Sequence, residues 1–366
     1  MEEDFSQLLE YSVKLVESRL REFFNELEEE SQQVSPYLKS IPFISRDYTL
    51  RGGKRIRAFL ALIGYWSKVW SAGDVNTISR LMASLELLQS YLLIHDDIMD
   101  MDELRRGGPT VHVWFRNACA NDGFSADCVH YGVSQAITVG DYLEASAVEN
   151  LALLELPGED LKRLIATYSR GLRRVAYGQY LDVLFSSLPL EKIGENEILL
   201  VHKLKTASYT IELPLHLGAI ASLRYSQKLL EELSAFAIPA GIAFQLRDDI
   251  IGLYGDPRVT GKPSGSDVRG KKKTLLIIKA HQLSSRQERE FLELVYDKLP
   301  SNDITEDHVE RVREIVKSTG SLDYNLRLIE SFVSQALSGL EASLEISDEA
   351  KKVLKWLLYK LAYREK

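Results

Sequence analysis

The sequence predicts an all-α protein, and three observations carry this prediction. Apolar residues recur at three- and four-residue steps, as in the run of leucines at 81, 85, 88 and 92. No segment of comparable length alternates apolar and polar residues as a half-buried strand would. Glycines and prolines fall between the periodic segments, and no Gly/Ser-rich linker divides the chain. We therefore expect one helical domain over residues 1–366.

The periodic segments place the helices in chain order. The predicted helices cover residues 5–24, 54–70, 81–92, 130–155, 159–186, 194–222, 227–255, 272–283, 306–343 and 348–366. Residues 35–53, 107–109 and 255–270 contain the helix breakers and are predicted as loops. Pro214 and Pro239 lie inside helical patterns, and we expect them to kink those helices.

Composition excludes several classes of protein. The chain has 366 residues, with 45 Lys and Arg against 53 Asp and Glu, so its net charge of −8 argues against a general nucleic-acid-binding surface. Two cysteines, Cys119 and Cys128, are too few for a disulfide framework or a four-thiolate zinc site and are expected to be ordinary thiols. The start, Met1-Glu2-Glu3-Asp4, lacks the basic residues of a signal peptide, and no apolar run reaches the roughly 18 residues that span a bilayer. These features predict a cytoplasmic protein without stable membrane insertion.

The first chemical signal is the acidic segment His95-Asp96-Asp97-Ile98-Met99-Asp100, which follows an apolar helical run. On a helix its three carboxylates share one face and repel one another unless a cation lies among them. Oxygen ligands without a Cys/His set favour Mg²⁺ over zinc. A solvated acidic face is the alternative, but the apolar neighbours on both sides favour partial burial.

A second acidic pair, Asp248-Asp249, also follows an apolar helical run and lies in a similar local sequence. Two such helices facing each other in a bundle would form a multi-metal site. Basic segments come soon after each motif: Arg105-Arg106 after the first, Lys262 and Lys271-Lys272-Lys273 after the second. A further basic turn, Gly52-Gly53-Lys54-Arg55-Ile56-Arg57, opens a helix. Cations beside metal-binding carboxylates suggest diphosphate substrates.

Together these segments resemble a trans-isoprenyl diphosphate synthase of the polyprenyl synthetase family, near the short-chain archaeal type. The resemblance covers roughly residues 45–280 and keeps the family's order of motifs. The matching pieces are Gly52-Gly53-Lys54-Arg55-Ile56-Arg57, Asp96-Asp97-Ile98-Met99-Asp100, Arg105-Arg106-Gly107, Gly178-Gln179-Tyr180-Leu181-Asp182, Lys205-Thr206-Ala207, Phe244-Gln245-Leu246-Arg247-Asp248-Asp249 and Gly261-Lys262.

The resemblance implies a helical bundle around a central cavity and three Mg²⁺ ions per active site. Metal would be held by Asp96, Asp100 and Asp248, with Asp97 and Asp249 in support. The allylic diphosphate would be contacted by Arg105, Lys205 and Lys262, and isopentenyl diphosphate by Lys54, Arg57, Arg106 and Gln89. The reacting carbons would be lined by Thr206, Tyr209 and Gln245, with Gln179 and Asp182 behind them. One position departs from the family's pattern, because the third carboxylate expected four residues after Asp248 is Gly252.

The resemblance also implies the reaction, a Mg²⁺-dependent ionisation, condensation and elimination, and a homodimer. Product length would be set by Tyr91, Leu92 and Leu88, which precede the first aspartate. An aromatic residue five positions before that aspartate is typical of C20 synthases. On an ideal helical wheel, however, Leu92 lies nearer the carboxylate face than Tyr91, so C15 and C25 products stay open.

Two other classes stay open. A class I terpene cyclase usually carries an Asn/Asp…Ser/Thr…Glu metal motif in place of the second aspartate pair. A non-catalytic subunit of a heteromeric synthase tends to lose acidic motifs, whereas this chain keeps both. A ferritin-like di-iron protein would need sets of Glu-x-x-His pairs, which the sequence lacks.

Overall fold

The computed structural model describes residues 2–71, 73–255 and 265–364, and most of this part is helical, which confirms the all-α class. Lys262, predicted to contact the allylic diphosphate, and most of the predicted loop around it lie outside the described residues. The α-helices are α1 Glu2–Val34, α2 Ser40–Leu50, α3 Ile56–Tyr65, α4 Val75–Met99, α5 Val111–Asn121, α6 Cys128–Ala152, α7 Gly158–Ser187, α8 Glu195–Val201, α9 Leu213–Ala221, α10 Gln227–Tyr254, α11 Ser266–Arg269, α12 Leu275–Leu283, α13 Arg286–Glu293, α14 Glu306–Ser318, α15 Ser321–Ala342 and α16 Asp348–Ala362.

Shorter irregular elements link these helices. A two-stranded antiparallel hairpin pairs β1 (Leu104–Arg105) with β2 (Gly108–Pro109). Single 3₁₀ turns cover Pro36–Leu38, Leu190–Lys192 and Ser301–Asp303. Two π-helical segments, His202–Glu212 and Leu294–Lys298, replace regular α-helix, the first of them between α8 and α9.

The long π-helical segment ends beside a proline. Pro214 is the second residue of α9 and carries no N–H, so the ordinary i→i−4 ladder cannot continue through it. Just before it, the Leu213 amide donates to the Ser208 carbonyl five residues back. The predicted helix over 194–222 therefore changes its winding rather than continuing as one α-helix. Pro239 lies inside α10, which the structure describes as one helix, and the kink expected there stays a prediction.

Several parts of the predicted helix pattern were wrong, among them residues 111–121, where no helix was predicted and α5 forms. The predicted loop over 35–53 contains α2, because its apolar residues Ile44 and Tyr48 have a face to bury. The predicted helix over 306–343 is two helices, separated at Gly320, whose φ of +76° lies in the left-handed region that glycine adopts readily. Helix α13 was not predicted, since most of its residues are charged or polar and its only fully buried residue is Leu292.

The chain forms two compact units. Unit 1 comprises residues 1–66, 71–166 and 217–224, and unit 2 comprises residues 67–70, 167–216 and 225–366. The expectation of a single domain over 1–366 is not tested by this division and stays a prediction.

Unit 1 is built around α4, which packs against α1, α3 and α6, while α5 packs against α6. The leucines that predicted α4 form its buried side: Leu81, Leu85 and Leu88 have no exposed surface. Asp74 caps this helix by accepting the backbone N–H groups of Asn76 and Thr77. The buried side of α4 thereby holds its acidic C-terminal end at a defined place in the unit.

Unit 2 is built around α10, which packs against the long π-helix, α15 and α16. In the described residues, α10 is the one helix long and apolar enough to cross a bilayer by length and composition, contrary to the expectation that no run reaches that length. Its most apolar window is 56% buried, and buried core helices meet the same criterion. Phe236 on this helix is 1% exposed, consistent with a core role.

The two cysteines are not the ordinary thiols that we expected. Cys119, in the last turns of α5, forms a disulfide with Cys128, the first residue of α6, with the two Cα atoms 5.5 Å apart. A spacing of nine residues across a turn brings the two positions within bridging distance. Disulfides are rare in reducing cytosol outside hyperthermophiles, so this bridge and the predicted cytoplasmic location point in different directions.

Candidate active site

The first acidic motif ends α4. The Asp100 amide donates to the Asp96 carbonyl at 2.8 Å, so the helical turn continues to the last aspartate of the motif. Asp96 retains 22% exposure of its side chain, and Asp100 is exposed. These two carboxylates therefore lie one helical turn apart with access to solvent.

The middle residue of this motif, Asp97, has a different environment. Its side chain has no exposed surface, and its Oδ2 accepts the Tyr48 hydroxyl at 2.5 Å. Its Oδ1 accepts Nε of Arg105 at 2.5 Å. Burial, and then the Asp97 charge, raise the pKa of Tyr48, so this phenol stays a donor. The predicted metal role of Asp97 stays a prediction, although both oxygens are already hydrogen-bonded.

The β1–β2 hairpin carries Arg105 and Arg106, and α2 fixes its position. Arg51 donates from Nη1 to the Pro109 carbonyl at 2.5 Å and pairs with Asp47 on its own helix. A Cβ at Gly53 would come within 2.8 Å of the Arg106 guanidinium. The hairpin arginines and the Gly52-Gly53 turn are therefore packed together, as a shared diphosphate-binding region would require.

The basic residues of the turn before α3 differ in how deeply they are buried. Lys54 is exposed and Arg57 half-buried, whereas Arg55, with φ of +49°, is 4% exposed. Arg55 donates to Glu86 at 2.9 Å and to the Thr49 carbonyl at 2.8 Å. This buried pair was missed, because nothing local in the sequence distinguishes Arg55 from its basic neighbours. Gln89, predicted for the same substrate, is half-buried on α4.

The predicted chain-length residues lie on α4 above the acidic motif. Leu88 is fully buried, and Leu92 and Tyr91 are half-buried. The Tyr91 ring packs edge-on against the His95 ring with centroids 4.7 Å apart. A Cβ at Gly140 of α6 would come within 2.4 Å of His95, so this glycine gives the two rings their space. Tyr91 thus faces α6.

The long π-helix carries three predicted residues in unit 2. Lys205 pairs with Asp182 of α7 at 2.6 Å, and Thr206 and Tyr209 are 9% and 4% exposed. A Cβ at Gly178 would come within 2.5 Å of the Lys205 amide nitrogen, so α7 passes directly against this segment. Gln179, predicted to lie behind the reacting groups, is half-buried on α7. π-Helical segments often occur at functional sites, and this one presents Lys205 and Thr206 together.

A hydrogen-bonded chain runs from the π-helix to the second acidic motif. The Thr206 hydroxyl donates to Gln245 Oε1 at 2.7 Å, and Gln245 Nε2 donates to Asp249 at 2.9 Å. Asp249 is 1% exposed and also lies 3.1 Å from His202 and 3.3 Å from Lys272. Burial alone would raise the pKa of Asp249, but Lys272 and His202 hold it well below its ordinary value. Asp249 is thus a buried, ionised carboxylate with Gln245 and Lys272 on Oδ1 and His202 beside Oδ2.

Asp248 is the more exposed member of the second pair, at 37%. Its carboxylate is contacted by the Arg364 guanidinium, which also stacks over the Phe244 ring at 4.5 Å. Arg247 donates to the Arg364 carbonyl at 2.7 Å and so holds this C-terminal residue in place. A cation therefore already lies on the carboxylate for which a metal ion is predicted.

At position 252, where the family's third carboxylate is expected and this chain has glycine, the carboxylate of Asp267 lies close to the backbone. A Cβ at Gly252 would come within 2.1 Å of Asp267 Oδ2, so the absence of a side chain at 252 leaves room for the Asp267 carboxylate. Asp267 comes from α11, fifteen positions further along the chain. In the sequence, the only signal for this contact was that glycine occupies position 252, where the family pattern has an aspartate.

The donor set fits Mg²⁺. Exposed and half-exposed carboxylates at Asp96, Asp100 and Asp248 supply the hard oxygen ligands that Mg²⁺ prefers. Arg364 contacts Asp248, so a metal ion at this carboxylate would have to displace that guanidinium. Within the described ranges no three His, Cys, Asp or Glu side chains lie close enough together to hold a metal ion by themselves, so the metal role of these aspartates stays a prediction.

Comparison with known proteins identifies the family. The polyprenyl synthetase family model matches residues 42–316. Geranylfarnesyl diphosphate synthase of Aeropyrum pernix is 34% identical over 320 residues, which is 86% of this chain and 91% of that protein. Geranylgeranyl diphosphate synthase of Saccharolobus solfataricus is 32% identical over 308 residues, 84% of this chain and 85% of that protein.

A solved structure gives the same result. Geranylgeranyl pyrophosphate synthase from Corynebacterium glutamicum, crystallised with isoprenyl diphosphate and magnesium, matches with a TM-score of 0.89 and 32% identity. The match covers 97% of this chain and 99% of that chain. The chain belongs to the polyprenyl synthetase family, as the motifs indicated. It is a trans-prenyltransferase of isoprenoid biosynthesis, its substrates are isoprenyl diphosphates, and its family is Mg²⁺-dependent.

Proposed function

We propose that the chain condenses isopentenyl diphosphate head-to-tail with allylic diphosphates and releases an all-trans C20 product, geranylgeranyl diphosphate. The observation that carries the proposal is that both acidic motifs and the basic turn before α3 are present in one chain of this family. A terpene cyclase has no need for an isopentenyl diphosphate site formed by Lys54, Arg57 and Arg106. A non-catalytic subunit has no need for two intact aspartate pairs.

Asp96, Asp100 and Asp248 would hold Mg²⁺, which neutralises the diphosphate and makes it a better leaving group. Arg105 and Lys205, with Lys262, bind the same diphosphate and stabilise the charge that grows on it as the C–O bond breaks. The Lys205 ammonium group is paired with the Asp182 carboxylate, so on substrate binding the diphosphate replaces that carboxylate as its partner.

The Thr206–Gln245 pair suits the carbocation that remains. The Thr206 hydroxyl gives its single proton to Gln245 Oε1 at 2.7 Å, so its lone pairs stay available to face a positive charge. Gln245 is itself held by Asp249, which fixes the amide orientation. The double bond of isopentenyl diphosphate then forms the new C–C bond, and the departing diphosphate accepts the proton released from carbon. This accounts for a mechanism that needs no side-chain base.

Support for C20 comes from Tyr91, whose half-buried ring stands five residues before Asp96 and packs against His95. An aromatic ring there would block a tunnel that runs beside α4. A C25 product is the second candidate, because the Aeropyrum relative is named a geranylfarnesyl diphosphate synthase. C15 is the third, and the assay below separates all three.

The test is incubation of the full chain with labelled isopentenyl diphosphate, Mg²⁺ and each of three allylic starters, followed by dephosphorylation and chromatographic sizing. We expect a C20 alcohol from every starter and no product after chelation of Mg²⁺. Absence of any elongated product from a folded, Mg²⁺-supplied chain would contradict the proposal.

Substitutions separate the metal role from general charge loss. Asp96→Ala should lower turnover by orders of magnitude with an unchanged melting temperature. Asp122→Ala, at the exposed C-terminal end of α5, removes a carboxylate from the same unit and should leave turnover unchanged. Near-normal Mg²⁺-dependent turnover by Asp96→Ala would contradict the assignment.

We also propose that the chain acts as a homodimer with three Mg²⁺ ions per site in the cytoplasm, a location that requires the Cys119–Cys128 disulfide to be of the kind that persists in hyperthermophile cytosol. Exposed apolar side chains on α6, Val129 at 61% and Ile137 at 43%, support an interface between copies. Light scattering of the purified chain should give twice the mass of 41.5 kDa, and a monomer at assay concentration would contradict the dimer.

A further inference from the structure

Tyr48 is a buried tyrosine beside the first acidic motif, and none of the proposed substrate contacts uses it. Tyr48 lies near the C-terminal end of α2, shortly before the Gly52-Gly53 turn, and is 3% exposed. Its hydroxyl donates to Asp97 Oδ2 at 2.5 Å across 49 positions of sequence. The buried Tyr48 hydroxyl and the buried Asp97 carboxylate satisfy each other, because burying either group without a hydrogen-bond partner would cost free energy of folding.

The guanidinium of Arg105 lies among three carboxylates. Its Nε donates to Asp97 at 2.5 Å and its Nη2 contacts the same carboxylate, while Nη2 also lies 3.0 Å from Asp102 and 4.0 Å from Asp96. A shift of about 1 Å would place Arg105 on Asp96, where a guanidinium would compete with a metal ion for the carboxylate. Asp97 is therefore the contact that decides where this cation lies.

Tyr48 determines how Asp97 can hold Arg105. With the phenol on Oδ2, the arginine binds at Oδ1. Without the phenol, Oδ2 becomes a buried acceptor that has lost its donor, and the other side chain hydrogen-bonded to this carboxylate is Arg105. The guanidinium would then rotate away from the orientation in which it faces the substrate.

We propose that Tyr48 is a positioning residue that acts through Asp97 to orient the Arg105 guanidinium toward the allylic diphosphate and to keep it off Asp96. This inference rests on the proposed function, because it needs Arg105 to bind the allylic diphosphate. It gives Asp97 an anchoring role in the motif, with Asp96 and Asp100 as the residues that face metal.

The test compares Tyr48→Phe with a matched control. Tyr324→Phe is that control, since the Tyr324 hydroxyl donates to Glu195 at 2.8 Å and Glu195 pairs with Lys279 at 2.6 Å, the same tyrosine–carboxylate–cation arrangement away from both motifs. The first measurement is KM for each substrate. The second is the Kd of inorganic pyrophosphate with Mg²⁺ by calorimetry, which requires no turnover.

For Tyr48→Phe we expect KM for the allylic diphosphate and the pyrophosphate Kd to rise about tenfold, the scale of one lost charge-assisted hydrogen bond. KM for isopentenyl diphosphate should stay within about twofold, and Tyr324→Phe should change neither substrate's KM. Asp97→Asn should shift the same two quantities in the same direction, and it replaces Tyr48→Phe as the deciding variant if melting shows that the phenylalanine chain does not fold.

Equal changes in both KM values would indicate a general structural effect and overturn the proposal, as would an unchanged pyrophosphate Kd. If the wild-type chain joins no prenyl diphosphates, the proposed function fails, while the pyrophosphate titration still decides whether Tyr48 positions Arg105.

Discussion

Replacing Glu86 by Gln should destabilise unit 1, because the buried guanidinium of Arg55 then loses its carboxylate partner. The Arg55 and Glu86 side chains are 1% and 4% exposed, and their facing atoms are 2.9 Å apart. Arg55 keeps the Thr49 carbonyl at 2.8 Å and Glu17 at 3.5 Å, so the variant leaves a buried guanidinium with one carboxylate fewer within 3 Å. An unpaired buried charge is costly because the protein interior screens and solvates it poorly.

The magnitude follows from the geometry. Removing one partner of a buried pair costs about 3–5 kcal/mol, and the amide of Gln can keep one hydrogen bond, so we expect about 3 kcal/mol. An unfolding entropy of about 2.1 cal/mol/K per residue over 366 residues gives roughly 0.8 kcal/mol/K, so the melting temperature should fall by about 4 °C.

Thermal melting followed by circular dichroism measures this effect. Glu22→Gln is the matched control, because Glu22 is 58% exposed and its pair with Arg19 should contribute under about 0.5 kcal/mol. Arg55→Met combined with Glu86→Gln should lose less than the sum of the two single changes, since the charge is then removed with its partner. A Glu86→Gln melt within about 1 °C of the wild type would refute the reasoning.

Three further outcomes follow from the structure. Tyr91→Ala should lengthen the main product, and an unchanged chromatographic length would remove Tyr91 from chain-length control. Gly241→Ala should lower the melting temperature, because its Cβ would come within 2.4 Å of the Ala207 backbone; Gly158→Ala, with nothing within 4 Å, should not, and equal melts would contradict this account. The pKa of Asp249 is lower in the folded chain than in the unfolded chain, where it is about 3.9. Its contribution to the free energy of unfolding is therefore complete above about pH 3.9 and is lost as the pH falls below that value. Asp249→Asn should flatten the loss of stability below pH 4, which acid titration of the folded fraction would measure.

Helical periodicity predicted α4 well because the signal is local. Leucines spaced at three and four residues define one side of the helix whatever else the chain does, and that side is buried. The same reasoning missed α2, because the Ser35-Pro36 and Gly52-Gly53 breakers on either side of it predict one continuous loop. Its short apolar face is stabilised by packing against α1 and α4, which sequence periodicity does not report.

The candidate site shows the same division between local and distant causes. The sequence located both aspartate pairs, the basic turn and the Lys205-Thr206 segment, because each is a short run of chemistry-bearing residues. The family resemblance gave Asp97 a supporting role and left Arg55 without one, but nothing local in the sequence indicated that either residue is buried and paired. Both properties depend on partners far along the chain.

The amino-acid sequence by itself determined the all-α class, the order of the motifs and the family, because helix periodicity and motif spacing are properties of adjacent residues. Tertiary structure alone decided which charge in each cluster is buried and paired and which faces solvent. In the two aspartate pairs, which lie on helices, neighbours point about 100° apart, so one is turned into the protein and the other out of it. Arg55 precedes its helix and is turned inward in a left-handed conformation. Which one turns inward depends on whether a distant partner, such as Tyr48, Glu86 or His202, is present to satisfy it.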